Sequence, residues 1–177
     1  GKGKKPLLYY LIQNAVEAGY TDIYLVTSPE NEAFQQWVGT KSSHNSFAGA
    51  QVHFAIQYTP QGRDKPLGTA DAVQQAMDQY PILKTQYLTI CNGDNFYSVK
   101  ALALLHQVRD TPHAMISYAR SGLLFDDERI AKFAVMDINT QNQLIRIIEK
   151  PDPETIEQYR DSSGEIRVSM NIFSFEG

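Results

Sequence analysis

The sequence holds a single cysteine, Cys91. That excludes an intrachain disulfide, a paired-cysteine zinc site and a dithiol redox motif. No apolar run approaches the roughly 18 residues of a membrane span, and the opening Gly1-Lys2-Gly3-Lys4-Lys5-Pro6 is followed by no signal-peptide core with a cleavage site. An excess of positive charge is missing as well: 16 Lys+Arg against 20 Asp+Glu leave a formal net charge of −4. No overall field therefore draws the chain to nucleic acid or to an anionic membrane, and any phosphate site must be local. G-x-x-x-x-G-K-[ST], G-x-G-x-x-G and G-x-S-x-G are all absent, and His44, His53, His106 and His113 nowhere stand at metal-ligand spacing. Walker ATPases, dinucleotide dehydrogenases, serine hydrolases and zinc hydrolases all lose ground. The basic opening reads as a solvated terminus or a phosphate contact.

What is present is the composition of an ordinary globular protein, 42% hydrophobic and 20% charged over 177 residues, which predicts one domain, with a cytoplasmic location. From Pro6 to Ala18 the apolar residues fall on one helical stripe, with Pro6 in the first turn and Gly19 at the C-cap. Asp22 to Thr27 is a short apolar run, expected as a strand buried on both faces. A helix is expected from Ser28, as N-cap, to about Val38, followed by a polar surface loop from Thr40 to Gly49. Strand Gln51 to Gln57, an irregular loop from Tyr58 to Leu67 and helix Gly68 to Gln79 follow. Strand Gln86 to Cys91, a turn at Asn92-Gly93-Asp94-Asn95 and helix Ser98 to Val108 complete a third strand-then-helix passage. Such a succession predicts an α/β fold: a Rossmann-like, mixed, mostly parallel sheet flanked by helices. Strand-like runs at His113 to Ala119, Lys132 to Ile138, Gln143 to Glu149 and Ile166 to Phe175 have short connections, so antiparallel additions are expected there.

Three spots carry chemistry. Asn92-Gly93-Asp94-Asn95 follows a strand and precedes helical periodicity, which weighs against its alternative as a hairpin turn. A carboxylate beyond the carboxyl end of a strand in an α/β sheet is well placed for a cation and its phosphates, and Mg²⁺ takes only one or two protein carboxylates. Asp94 is that candidate. Pro66-Leu67-Gly68-Thr69-Ala70-Asp71 ends a loop and caps a helix; a residue without Cβ there also lets a flat base approach the backbone. Glu149-Lys150-Pro151 sets an acid and a base side by side at a strand end, on opposite faces if the strand stays extended. By itself that pair reads as surface decoration.

Together and in order, Lys5-Pro6-Leu7-Leu8-Tyr9-Tyr10 with Ala18-Gly19, Leu67-Gly68-Thr69-Ala70, Gly93-Asp94-Asn95, Glu149-Lys150-Pro151 and a closing strand with Asn171 resemble the sugar-1-phosphate nucleotidyltransferase family. The resemblance implies the nucleotide-diphospho-sugar transferase fold, with nucleoside triphosphate and sugar 1-phosphate as substrates and Mg²⁺ as cofactor. It implies that Gln57 reads the base edge, that Gly68 offers a backbone contact to the base with Thr69 and Gly93 beside the nucleotide, and that Asp94 binds the metal. Glu149 then holds sugar hydroxyls, Lys150 the sugar phosphate and, more loosely, Asn171 the sugar. The implied reaction asks no covalent chemistry of the protein, only positioning and neutralisation of charge. A homo-oligomer is compatible with all of this. The family's glycine-rich loop and a second metal aspartate are not in these residues, so a fragment incomplete at both ends is expected. The alternatives are a binding or regulatory module that no longer turns over, or transfer to another phosphate such as phosphocholine.

Overall fold

The computed structural model describes residues 4–107, 110–125, 127–152 and 154–177. These form two compact units, one of residues 4–89, 93–107, 110–113 and 174–177 and the other of residues 90–92, 114–125, 127–152 and 154–173. The architecture is mixed α/β with two sheets.

In the first unit, helix α1 (Leu7–Glu17) follows Pro6 at its N-cap and buries Leu11, Ile12 and Ala15. It ends as the sequence predicts, with Gly19 at φ 105, a conformation that residues bearing a Cβ avoid. Strand β1 (Asp22–Thr27) and strand β3 (Ala50–Ile56) pair in parallel, Asp22 opposite Gln51 and Thr27 opposite Ile56. The sheet order is β1-β3-β2, so β3 is central. Its side chains alternate between two cores, as a pleated strand requires. Val52 and Phe54 pack with Val38, Ile23, Leu25 and Phe47; Ala55 packs with Ala76, Leu83, Tyr24 and Tyr80. The expectation that β1 is buried on both faces fails: it lies at the sheet margin and Val26 is 39% exposed.

Two further expectations are corrected. Helix α2 (Glu32–Val38) starts after Asn31, not at Ser28. The Ser28 hydroxyl donates instead to the Glu30 carbonyl at 3.2 Å, holding that stretch in a turn. The presumed loop 40–49 contains strand β2 (Asn45–Phe47), antiparallel to β3 and joined to it through Ala48 and Gly49. Their φ values of 53 and 95 are the paired positive angles of a tight two-residue hairpin.

Helix α3 (Thr69–Gln79), a 3₁₀ turn (Pro81–Thr85), strand β4 (Tyr87–Cys91) and helix α4 (Val99–His106) follow. Ser98 caps α4, its hydroxyl accepting from the Ala101 amide at 3.2 Å; Val108, the expected end of that helix, lies outside the described residues. Lys2 of the basic opening does as well, whereas Lys5 sets its ammonium over the Tyr9 ring at 4.5 Å and the Trp37 ring at 5.6 Å.

The second unit is built on strands β5 (Ala114–Ala119), β6 (Val135–Ile138), β7 (Leu144–Ile148) and β8 (Arg167–Glu176), with a short helix α5 (Asp127–Ile130) before β6. The sheet order is β4-β8-β6-β7 with β5 also on β8. The β6–β7 and β6–β8 pairs are antiparallel, as expected. Val135, Ile156, Ile166 and Val168 form this unit's core.

Candidate functional site

Gln57 stands directly after β3, where its backbone amide still donates to the Thr27 carbonyl at 2.8 Å. Its side-chain amide donates to the Leu67 carbonyl at 2.9 Å and to Asp71 Oδ2 at 2.7 Å. The structure therefore brings Gln57 against the residue preceding Gly68. Both amide hydrogens are spent on tying the loop together. Gly68 is the N-cap of α3 and Thr69 its first residue, and no side chain caps this end.

The two glycines of the predicted nucleotide contacts share a property. Gly68 has φ −69, and neither it nor Gly93 has the positive φ that reserves a position for glycine. A Cβ placed on either would meet no atom within 4 Å. The fold itself thus supplies no steric or conformational reason for glycine at 68 or 93. Gly19 differs: there a Cβ would press on the His106 ring at 3.0 Å.

Asp94 lies exposed in the turn after β4. The turn is anchored on Tyr97, which is 1% exposed: Asn95 Nδ2 donates to its hydroxyl at 3.2 Å, and Asn14 Nδ2 from α1 donates to its carbonyl at 2.8 Å. Among the described residues no ion pair engages Asp94, and no cluster of three or more His, Cys, Asp or Glu could hold a metal. A single exposed carboxylate suits Mg²⁺, whose remaining positions go to water and phosphate oxygens.

In the second unit, Glu149 and Lys150 follow β7 and are both exposed. The strand does not stay extended through them: β7 ends at Ile148, and Lys150, just before the buried Pro151, has φ 47. Asn171, exposed in the middle of β8, has φ 55. Its amide donates to Ser169 Oγ at 3.2 Å. Of the three candidate sugar-phosphate residues, Lys150 and Asn171 thus occupy the left-handed region, costly for residues with a Cβ and tolerated best by asparagine. A separate cavity of about 390 Å³, lined by Arg120, Ser121, Phe125, Arg160 and Glu165 among others, contains none of the predicted residues.

Sequence reasoning missed the residues that hold the loop between Gln57 and Gly68. The Ile56 amide donates to Gln79 Oε1 at 2.8 Å, and Gln79 Nε2 donates back to the Ile56 carbonyl at 2.8 Å. Two residues on, the Tyr58 amide donates to Gln75 Oε1 at 2.8 Å, and Gln75 Nε2 returns a bond to the Tyr58 carbonyl at 3.1 Å. Gln75 Nε2 also donates to Asp71 Oδ2 at 2.9 Å. The signal was the polar spacing Asp71, Gln75, Gln79, one residue per helical turn.

No helix among the described residues is long and apolar enough to cross a membrane. Residues 1–176 match the family model described as nucleotidyl transferase. The chain is 23% identical over 168 residues to a glucose-1-phosphate adenylyltransferase of Koribacter versatilis (strain Ellin345), covering 93% of this chain and 39% of that relative. It is 25% identical to one of Enterobacter sp. (strain 638), covering 98% and 40%, and 26% identical to glucose-1-phosphate adenylyltransferase 1 of Alkalilimnicola ehrlichii (strain ATCC BAA-1101 / DSM 17681 / MLHE-1), again covering 98% and 40%. It spans about two-fifths of the length of these curated relatives. With the family model covering all but the last residue, the chain belongs to the nucleotidyl transferase family.

Proposed function

We propose that the protein carrying this chain transfers a nucleotidyl group from a nucleoside triphosphate to a sugar 1-phosphate, releasing pyrophosphate. The observation that carries this reading is the family match over residues 1–176, joined by relatives named glucose-1-phosphate adenylyltransferase. ATP and glucose 1-phosphate are accordingly the first pair to assay.

In this reading residues of the first unit take the nucleotide. The Gly68 and Gly93 backbones lie open to a base and its ribose, and Gln57 is bonded to Leu67 beside Gly68. Asp94 would hold Mg²⁺, which when bound supplies positive charge to the triphosphate oxygens. In the second unit, Lys150 neutralises the sugar phosphate, Glu149 accepts hydrogen bonds from sugar hydroxyls, and Asn171 contacts the sugar. A phosphate oxygen of the sugar phosphate forms its bond to the α-phosphorus as the bond to pyrophosphate breaks, so the protein's task is to align two anions and offset their charge.

The test is Asp94→Asn in the complete protein. Turnover should fall by well over tenfold, at least about 1.4 kcal/mol of barrier, with the melting temperature unchanged because Asp94 is exposed and no ion pair engages it among the described residues. A variant with native rate and native Mg²⁺ dependence removes Asp94 from the site.

A further inference from the structure

Among the described residues, strand β3 leaves half of one edge uncovered by other strands. Successive residues point their backbone groups to opposite edges, so 52, 54, 56 and 58 address one side. Strand β2 covers that side only as far as Val52. Beyond it, the Phe54 amide donates to the Ser42 carbonyl at 2.8 Å, and the Phe54 carbonyl accepts from the Tyr80 hydroxyl at 2.8 Å. Ile56 and Tyr58 are then each clasped, donor and acceptor both, by Gln79 and Gln75 of α3.

The match is geometric. Four residues of α-helix rise about 6.0 Å, and two residues of strand rise about 6.6 Å, so glutamines one helical turn apart meet backbone groups two strand residues apart. A primary amide sets a donor beside an acceptor as a peptide edge does, with a second N–H left for another partner. The helix stripe therefore acts as a substitute strand, carrying edge pairing past the end of the β ladder into the first residues of the 57–68 loop. Asp71, one turn further on, takes the Gln57 side chain.

We propose that Gln75 and Gln79 are positioning residues for nucleoside triphosphate: by clasping Ile56 and Tyr58 they fix the start of the loop whose far end is Gly68. The proposal rests on the nucleotidyl-transfer reading above, and its test separates the two. Gln75→Leu, Gln79→Leu and the double variant, in the complete protein, are compared with Gln74→Leu, whose exposed side chain donates to Asp78 and, among the described residues, not to β3. Amide hydrogen exchange at Ile56 and Tyr58 is measured first, since it reports the clasp whatever the substrate. Exchange should accelerate by roughly tenfold in the variants and stay unchanged in Gln74→Leu. Kinetics then give the second readout. KM for the triphosphate should rise roughly 3-fold in each single variant and about 10-fold in the double, with kcat and the sugar-phosphate KM held within twofold. Gln75→Glu, which keeps the acceptor for the Tyr58 amide but turns a carboxylate oxygen towards the Tyr58 carbonyl and Asp71, should do no better than Gln75→Leu.

Unchanged exchange at Ile56 and Tyr58 overturns the clasp. Faster exchange with an unmoved triphosphate KM overturns positioning and leaves the catalytic reading standing. A wild-type protein that turns over no triphosphate overturns the functional reading and the substrate half of the proposal with it, while exchange still decides the clasp.

Discussion

Replacing Gly68 with alanine separates a glycine kept for the fold from one kept for a ligand. Alanine at a helix N-cap is worse than glycine by about 0.5–1 kcal/mol. The backbone at φ −69, ψ −167 is extended and open to alanine, so the reduced freedom of the unfolded chain returns about 0.4–1 kcal/mol. The new methyl meets nothing within 4 Å and adds no clash. The net change in stability should stay within about 0.5 kcal/mol, a shift in melting temperature of about 2 °C or less for a chain of this size. Nucleotide binding behaves differently. A base seated against the backbone would come within about 4 Å of the alanine Cβ, and its displacement should weaken triphosphate affinity by at least tenfold, about 1.4 kcal/mol. Calorimetric titration with the triphosphate, beside thermal melts of both proteins, supplies the two numbers. Native affinity in Gly68→Ala refutes the idea that a ligand approaches this backbone. A melting temperature lowered by more than about 5 °C shows instead that the glycine serves the fold.

Lys150→Ala should lower kcat/KM for the sugar phosphate by roughly 10- to 100-fold, the loss of one charge-assisted bond of about 1.5–3 kcal/mol; a change confined to triphosphate affinity would place Lys150 elsewhere in the reaction. At Asn171, with φ 55, alanine should cost about 1–2 kcal/mol of stability and glycine much less, while both weaken sugar-phosphate binding. A glycine variant with native KM reduces Asn171 to a backbone role. Burial pushes the Cys91 thiol up to about 11, so at pH 9 alkylation should be slow in the native protein and fast in denaturant. Because the folded value is the raised one, stability is untouched below the unfolded value of roughly 8.5 and declines as pH rises towards 11; equal alkylation rates in both states would contradict that burial.

Local pattern made much of the first unit legible. Strand β1 begins and ends where its apolar run does, and α1 stops at the glycine that turns the chain. The β2 hairpin escaped because its turn places Ala48 at φ 53, where asparagine or glycine is the usual signal, and because residues 40–49 are too polar to read as a strand. Ser28 misled because its hydroxyl has a competing backbone partner two residues away. Nothing in sequence spacing could have joined Asn14 to Tyr97, 83 residues apart, although that bond anchors the turn bearing Asp94. The opposite-face reading of Glu149 and Lys150 assumed that the strand runs on through them, whereas β7 ends at Ile148 and Lys150 has φ 47.

The glutamine stripe was passed over for a more general reason. Periodicity is usually sought in apolar residues, which report burial, whereas a strand edge requires paired donors and acceptors. Leucine at 75 and 79 would have given α3 a stronger amphipathic signal and left the Ile56 and Tyr58 groups to water. Glutamate could accept from the amides but not answer the carbonyls; lysine could do only the reverse. Glutamine satisfies both from one side chain, and its placement also fixes register. Slipping α3 by one residue rotates its stripe by about 100° and breaks both clasps together with the Gln57–Asp71 bond. The two ends of the 57–68 loop are therefore held by one rigid helix, with Gly68 at its N-cap and Gln75 and Gln79 on the strand edge. A loop pinned in this way surrenders less conformational entropy when a ligand settles against it.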